Sequence, residues 1–515
     1  MGPGQAEPEV RADAVGRRVS CGGERATVRY VGPVPTTPGL WIGVEWDHPE
    51  RGKHDGSHGG VRFFTCRHPG GGSFLRPEKV SFGEDYLTVV QQVYRTDSEE
   101  TQRDADAIDV QWTRVKERSL TDRPSVLLSR SEVNGPGDDG DVRRTTPNVL
   151  HLNLCGTLLS CWDDVAAISR QLDQLTKLDL SSTRLTLPSD LSAHLQAFCS
   201  LKVLVLNNCD LTWPQILELA PLWPRLENLS VEGNAIRELH RPDGVLQSLR
   251  DLSLVGNPLA QDSVISLAAL PRLENLNLSQ TGLSEFPVDD AAPGGQSASF
   301  PALTSLSLED NVISEWRVVD ELAKLSGLVI LRCHRNRLVT SDGNSKTVRQ
   351  LIIAKLGRLA FLDGVEISPK ERRGAEIDYI KMFGEEWLKA GGGGQPSSQF
   401  TCQHPRYLSL INRYGAPEEG ELRKSSAWKN QLLKITFTFP DDANRKSIDK
   451  KLPASMQVQK VKGLLHRLLK VPVADLRLSY TTPKKVGVEY EINNDLRPLQ
   501  FYSIADGDQM LARWS

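Results

Sequence analysis

Residues 226–236 read LENLSVEGNAI and residues 249–259 read LRDLSLVGNPL. In both stretches apolar residues occupy positions 1, 4, 6 and 11, and Asn234 and Asn257 occupy position 9. Positions 4 and 6 are two apart, so on a short strand both side chains point to one face, while the more polar residues at 3, 5 and 7 point to the other. Working outward, the same template fits from Leu201, Leu273, Leu303 and Leu328, and Val149 and Leu175 open two earlier copies. The starts at 149, 175, 201, 226, 249, 273, 303 and 328 are 26, 26, 25, 23, 24, 30 and 25 residues apart.

All but one of those steps fall in the range of about 20 to 29 residues that defines a leucine-rich repeat solenoid, an α/β architecture in which each copy shares its core with its neighbours. The long step is assigned to an insertion at 289–299 (DDAAPGGQSAS), a loop on the convex side. Asn at position 9 is expected to bond the backbone at the turn, and Cys333 at position 6 reads as a small buried hydrophobe. Beyond the last full copy, Leu356, Leu359 and Phe361 begin a degenerate one. Ser368, Pro369 and Glu371 then supply the N-cap, N1 and N3 residues of a helix that should close the solenoid before Gly391.

The whole chain has 515 residues, enough for three to five domains at about 100 to 200 residues each. Its formal charge of −3 argues, taken alone, against a polyanion-binding protein. By module, however, the charge is 0 over 1–85, −3 over 86–145, −7 over 146–390, +1 over 391–428 and +6 over 429–515. The N-terminus carries Glu7, Glu9, Arg11 and Asp13 where a signal peptide needs an apolar run, and no stretch approaches the length of a membrane span. The eight cysteines form no C-x-x-C pair, so neither a disulfide framework nor a zinc ribbon is suggested. A soluble, non-secreted protein of a reducing compartment is expected.

Around the solenoid (146–390) the sequence reads as a first module at 10–83, a charged linker at 84–145, a Gly-rich linker at 391–428 and a last module at 429–515. The last module reads strand (432–439), strand (451–453), helix (458–470), strand (476–480) and strand (509–514), with Ala505-Asp506-Gly507-Asp508 as the final turn. That order is a β-grasp, an α+β fold, and the segment resembles a ubiquitin-like domain. It lacks the Gly-Gly tail that conjugation requires, so it should act as a fold and not as a tag. Gly, Val and aromatics at short intervals between 10 and 83, broken by frequent turn residues, predict a small β-barrel.

Within that barrel, Gly39-Leu40-Trp41-Ile42-Gly43-Val44-Glu45-Trp46-Asp47, Gly52-Lys53-His54-Asp55-Gly56, Phe63-Phe64-Thr65-Cys66 and Gly72-Ser73-Phe74-Leu75-Arg76-Pro77 resemble, in order and spacing, the CAP-Gly domain. The resemblance implies recognition of acidic C-terminal tails, typically ending Glu-Glu-Tyr or Glu-Glu-Phe, of α-tubulin and certain microtubule-associated proteins. It places Lys53 and Arg76 against the tail carboxylates and Trp41 and Phe74 along the slot for the terminal aromatic. Gly52 and Gly56 let the backbone of the loop that includes His54 and Asp55 come close. The family pentapeptide is GKNDG, and His54 stands where it has Asn. The ring keeps a donor, changes its reach and adds a pH dependence near about 6.5. Residues 51–79 carry a local charge of +4, which suits an acidic ligand.

The order of CAP-Gly domain, leucine-rich repeats and ubiquitin-like domain resembles the tubulin-folding cofactor E family over nearly the whole chain. What this implies is a protein without catalytic residues, resident in the cytoplasm and on the cytoskeleton, that captures newly folded α-tubulin. It would join cofactor D carrying β-tubulin, release the heterodimer with cofactor C, and meet cofactor B. The same activity can run backwards and dissociate heterodimers. No metal, cofactor, nucleic acid or membrane is expected among its ligands, and GTP, if involved, would be tubulin's.

Plainer readings stand beside these. His54, His58, Cys66 and His68 do not follow a common zinc spacing, and Gly70-Gly71-Gly72 lacks the Lys-Ser/Thr of a phosphate loop. Trp41 and Phe74 are core residues or line the groove. The polar residues of the concave sheet either form a solvated face or, through Asp179, Glu232, Asp251 and Glu309, meet a basic or polar face of a tubulin subunit or of cofactor D. A microtubule plus-end adaptor would need dimerising heptads, which are absent. A ubiquitin-pathway adaptor, using the repeats for substrate and the ubiquitin-like domain for docking on the proteasome, is a third reading.

Overall fold

A computed structural model describes residues 13–35, 37–94, 120–288, 297–340, 344–393, 396–417, 432–442, 445–483 and 488–514. Two compact units divide between Arg337 and Leu338. In the first, Arg18–Cys21, Glu24–Val34, Thr37–Trp46 and Gly72–Leu75 form an antiparallel sheet in that order. Alternation sends Val19, Ala26, Val28, Ile42, Val44 and Trp46 inward, where they are buried, each aliphatic side chain contributing about 1.5–3 kcal/mol. A bulge between Val28 and Tyr30 breaks the alternation and turns Tyr30 to the opposite face, beside Gly43.

The solenoid is built of three-residue parallel strands: Ser125–Leu127, His151–Asn153, Lys177–Asp179, Val203–Val205, Asn228–Ser230, Asp251–Ser253, Asn275–Asn277, Ser305–Ser307 and Ile330–Arg332. Each strand's middle residue pairs with the next one's, running from Val126 and Leu152 through to Leu306 and Leu331, all of them buried. The position-9 asparagines reach the preceding repeat as well as their own turn. Buried Asn257 accepts from the amides of Asn234 (2.9 Å) and Ile236 (3.0 Å) and donates to the carbonyls of Val231 (3.0 Å) and Leu254 (2.9 Å). Asn234 does the same for Cys209, Leu211 and Leu206, so the repeats are stitched by buried amides.

Three expectations need correction. The stretch 84–145 is no simple linker. Glu84–Asp85 pairs with Val133–Gly135, residues 86–94 are helical, Tyr86 is buried with its hydroxyl 3.0 Å from Thr146 Oγ1, and Ser125–Leu127 begins the solenoid sheet. One buried residue per short strand leaves no apolar run to read, and the charges lie on exposed positions. Residues 95–119 fall outside the described residues. Cys333, read as buried, is half-buried.

The third correction lies in the second unit. The helix Pro369–Met382 starts as expected, with the Ser368 side chain accepting from the Glu371 amide and Pro369 at N1. It does not end the cap, however, because Ser398–Gln403 and Tyr407–Tyr414, inside the stretch read as a linker, are helices that pack back on it. Buried Tyr407 donates to the Ile380 carbonyl (2.7 Å), Arg406 pairs with fully buried Glu376 (2.8 Å), and the Tyr379 hydroxyl lies 2.6 Å from His404 Nδ1. Burial pushes His404 down to about 4, which keeps it neutral in this network. Residues 391–393 turn the chain before these aromatics bury themselves.

The C-terminal module is the expected β-grasp, with one strand more than the sequence reading found. Its sheet runs Ile448–Pro453, Leu432–Thr438, Gln509–Arg513, Arg477–Thr481, Glu489–Ile492, and Leu432–Thr438 runs parallel to Gln509–Arg513. The helix Val458–Leu469 buries Val458, Val461, Leu465 and Leu469 against that sheet, the 3- and 4-residue spacing of one helix face. Most of the insertion in the solenoid, residues 289–296, lies outside the described residues.

Candidate peptide-binding surface

On the outer face of the barrel, Gly43 is opposite both Tyr30 and Phe74. A Cβ on Gly43 would lie 2.5 Å from the Phe64 ring, so the glycine lets that ring pack against the strand between Tyr30 and Phe74. Phe74 is the hub: its centroid lies 5.5 Å from Phe63, 5.5 Å from Phe64, 6.2 Å from Tyr30 and 5.0 Å from His54, mostly edge-to-face. Phe64 is buried beneath, whereas Phe74, Phe63 and Tyr30 are half-buried and present apolar edges to solvent. Such a half-wet aromatic platform suits a partner's aromatic ring.

Two residues along from Gly43, Trp41 stacks under the Arg76 guanidinium, whose Cζ sits 3.8 Å from the ring centroid and whose Nη1 donates to the Pro38 carbonyl (2.8 Å). Arg76 is thus held by a ring face and a carbonyl, with no carboxylate taking its charge among the described residues. The buried Trp41 Nε1 likewise has no acceptor there. Lys53 is exposed and forms no ion pair among the described residues. The platform therefore has two uncompensated cations at its rim, the arrangement an acidic peptide with a terminal aromatic would satisfy.

The GKHDG loop is shaped by its own chain. A Cβ at Gly52 would lie 2.0 Å from the Gly70 carbonyl oxygen, and one at Gly56 would lie 2.0 Å from that of Phe64, so both glycines allow close approach within the barrel and not to a ligand. Asp55 is held by its own loop: one oxygen accepts from the Ser57 amide and the other pairs with Arg62 at 2.7 Å, and hydrogen bonds from the Ser57 hydroxyl and amide, ahead of Arg62, hold its carboxyl below the ordinary range. His54 Nδ1 accepts from the Gly56 amide (3.1 Å), which leaves the proton of the neutral ring on Nε2. Burial, with His58 and Lys53 nearby and opposed by Asp55, lowers its pKa below the usual 6.5. A depressed histidine favours the folded barrel above the unfolded pKa and loses that contribution as pH falls through about 6.5 toward the folded value. Acidification from pH 7.5 to 5.5 should therefore lower the barrel's melting temperature in wild type and less in His54→Asn, read by scanning calorimetry at both pH values.

Tyr30, Phe63 and Phe64 are site residues that the sequence reading did not single out. Phe63 and Phe64 stand inside the quoted motif and could have been found there, whereas Tyr30 depends on the bulge. Burial pushes the Cys66 thiol up to about 11.

The concave sheet carries the four carboxylates on its outward positions, around a cleft of about 280 Å³ lined by Val203, Val205, Ser230, Ser253, Asn277 and Ser307 among others. Asp251 accepts from Asn228 (2.7 Å) and Asn275 (2.5 Å), and Glu232 from Ser253 (2.6 Å). Asp179 accepts from the Ser181 amide and hydroxyl (2.9 and 2.6 Å), while Glu309 lies 2.9 Å from His334. Amides and hydroxyls hold the first three in place without neutralising them.

Comparison with known proteins identifies the modules and the relatives of the chain. Residues 15–80 match the family model described as CAP-Gly domain, and residues 432–510 the one described as ubiquitin-like domain. A curated relative, tubulin-specific chaperone E of Danio rerio, is 54% identical over 517 residues, covering 98% of this chain and 99% of that protein. The Homo sapiens protein of the same name is 45% identical over 522 residues, covering 98% and 99%. A solution structure of the C-terminal ubiquitin-like domain of mouse tubulin-specific chaperone e is 54% identical, covers 18% of this chain and 94% of that one, and has a TM-score of 0.17.

Proposed function

The chain belongs to the tubulin-specific chaperone E family, and from that premise we propose that it captures α-tubulin by its acidic C-terminal tail and body and assists assembly of the αβ-tubulin heterodimer. In this reading it works with cofactors D and C, meets cofactor B, can run the reaction backwards, and acts in the cytoplasm and on the cytoskeleton. The observation that carries the tail reading is the platform around Phe74, flanked by Lys53 and Arg76 with no carboxylate partner among the described residues. The tail's last ring stacks on Phe74 and Phe63, and its carboxylates meet Lys53 and Arg76. The tubulin body meets the concave carboxylates Asp179, Glu232, Asp251 and Glu309. No bond is made or broken, and the work comes from binding energy at two sites on one client.

Pulldown of tubulin with and without its terminal tyrosine tests this. Lys53→Ala removes one charge-assisted contact of about 1.5–3 kcal/mol, so recovery of tyrosinated tubulin should fall roughly tenfold or more, with a similar fall for wild type on detyrosinated tubulin. Unchanged recovery in both arms would remove the tail from the reading. Reversing Asp179, Glu232 and Asp251 to Lys tests the body contact: the complex with tubulin should be lost in gel filtration, and unchanged assembly would remove the concave face from the reading.

A further inference from the structure

The barrel is fixed to the solenoid by contacts that reach the loops after its first four strands. Arg25 of the barrel donates to three main-chain carbonyls, those of Gly156 (3.0 Å), Arg130 (2.5 Å) and Ser131 (3.1 Å), and lies 3.6 Å from Glu132. The Ser81 hydroxyl donates to Glu132 (2.5 Å). Asp47, itself paired with buried Arg18, receives Arg184 from the following loop, at 3.6 Å on its carboxylate and 3.4 Å on its carbonyl. Arg67 forms an ion pair with Asp210 one loop further on. These partners come from 130–132, 156, 184 and 210, which follow Ser125–Leu127, His151–Asn153, Lys177–Asp179 and Val203–Val205 in turn. A connection meant to swing freely would not satisfy one guanidinium with three carbonyls and spread ion pairs over successive repeats.

The platform runs into this junction. Trp41, Gly43 and Glu45 alternate along one strand face, so Glu45 lies about 13 Å from Trp41. Glu45 accepts from the Arg67 amide (2.7 Å), and Arg67 reaches Asp210. Three residues before Asp210, Asn207 stands on the concave rim, where its Oδ1 accepts from the Ser230 hydroxyl (2.8 Å) and the Glu232 amide (2.8 Å). Two contacts, Glu45 with Arg67 and Arg67 with Asp210, and two short stretches of backbone, 41–45 and 207–210, thus link the platform's strand to the concave sheet.

We propose that the barrel and the first repeats form one bipartite receptor of fixed register for a single folded protein bearing an acidic C-terminal peptide, with Arg25, Arg67 and Asp210 as positioning residues. The inference rests on the tail-and-body reading above. A peptide alone needs only the platform. A folded client gains from the junction, because the first contact presents the second surface at the right distance and raises its effective concentration.

The test uses the full chain with two probes, a synthetic peptide ending Glu-Glu-Tyr and intact tubulin, together with a protease site placed within 95–119. After cleavage the wild-type barrel and solenoid should co-elute, and their separation overturns the fixed register. Arg25→Ala combined with Asp210→Arg should leave peptide affinity within about twofold and weaken tubulin binding roughly tenfold or more. Restoring the pair with opposite polarity, Arg67→Asp in the Asp210→Arg background, should recover most of the loss caused by Asp210→Arg alone. Equal tubulin affinity for wild type and the Arg25→Ala/Asp210→Arg variant overturns the inference. Failure of wild type to bind the peptide sinks the tail reading instead, and co-elution then still judges the junction.

Discussion

Asn257→Ala should destabilise the solenoid by about 4 kcal/mol or more, a large loss for truncation of one polar side chain. Its side chain is fully buried and makes four hydrogen bonds, two accepted and two donated, all to main chain. Truncation strands the amides of Asn234 and Ile236 and removes the side-chain donor from the carbonyls of Val231 and Leu254. Each orphaned buried group costs about 1–3 kcal/mol, which together outweighs the lost amide volume. The control is Asn275→Ala, one repeat along on the exposed concave face, whose side chain donates only to Asp251. That change should stay within about 1 kcal/mol, since water replaces the lost partner. Urea unfolding followed on the solenoid transition reads both. Equal shifts for the two variants would mean that the buried amides do not hold the repeats together. The chain has several modules, so the comparison is made on that one transition and not on a global value.

The contrast between those two asparagines explains which features of the chain could be read in advance. The repeats are readable because each needs the same two inward apolar residues and a turn residue at position 9, which is Asn at 234, 257, 311 and 336, and a requirement repeated along a chain is visible as a period. The first strand of the sheet was not, because only Val126 is buried there and nothing in Pro124-Ser125-Val126-Leu127 announces a repeat. The helices after Gly391 were missed for a related reason: Phe400, Tyr407 and Leu410 are buried singly, spaced among polar residues. Of the candidate site residues, the structure brings Trp41 to Arg76 and His54 to Phe74. Tyr30 was hidden by a bulge, which no local pattern encodes. The junction was hidden altogether, because Arg25 and Gly156 are 131 positions apart and each looks like an ordinary surface residue of its own module. Long-range polar complementarity leaves no trace in either partner's neighbourhood.

Gly56→Ala should abolish binding of the Glu-Glu-Tyr peptide, a loss of about a hundredfold or more, while the solenoid unfolds as before. Two separate demands meet at this residue. Its φ of +97° lies where an L side chain is strained by about 1–2 kcal/mol, and a Cβ there would stand 2.0 Å from the Phe64 carbonyl oxygen, far inside van der Waals contact. The backbone cannot simply step aside. The Gly56 carbonyl accepts from the Phe63 amide (3.0 Å) and the Phe64 amide (3.4 Å), and its own amide donates to His54 Nδ1. Moving it therefore displaces Phe63, Phe64 and His54 together, three of the rings that surround Phe74. Gly60→Ala separates the two demands, because Gly60 also has a positive φ of +80° yet a Cβ there meets nothing within 4 Å. If strain alone mattered, both variants would weaken the peptide equally. With close approach as the larger demand, Gly60→Ala keeps peptide affinity within a few-fold of wild type and Gly56→Ala does not. Fluorescence anisotropy of a labelled peptide decides between them, and full binding by Gly56→Ala would show that the loop's position does not shape the platform.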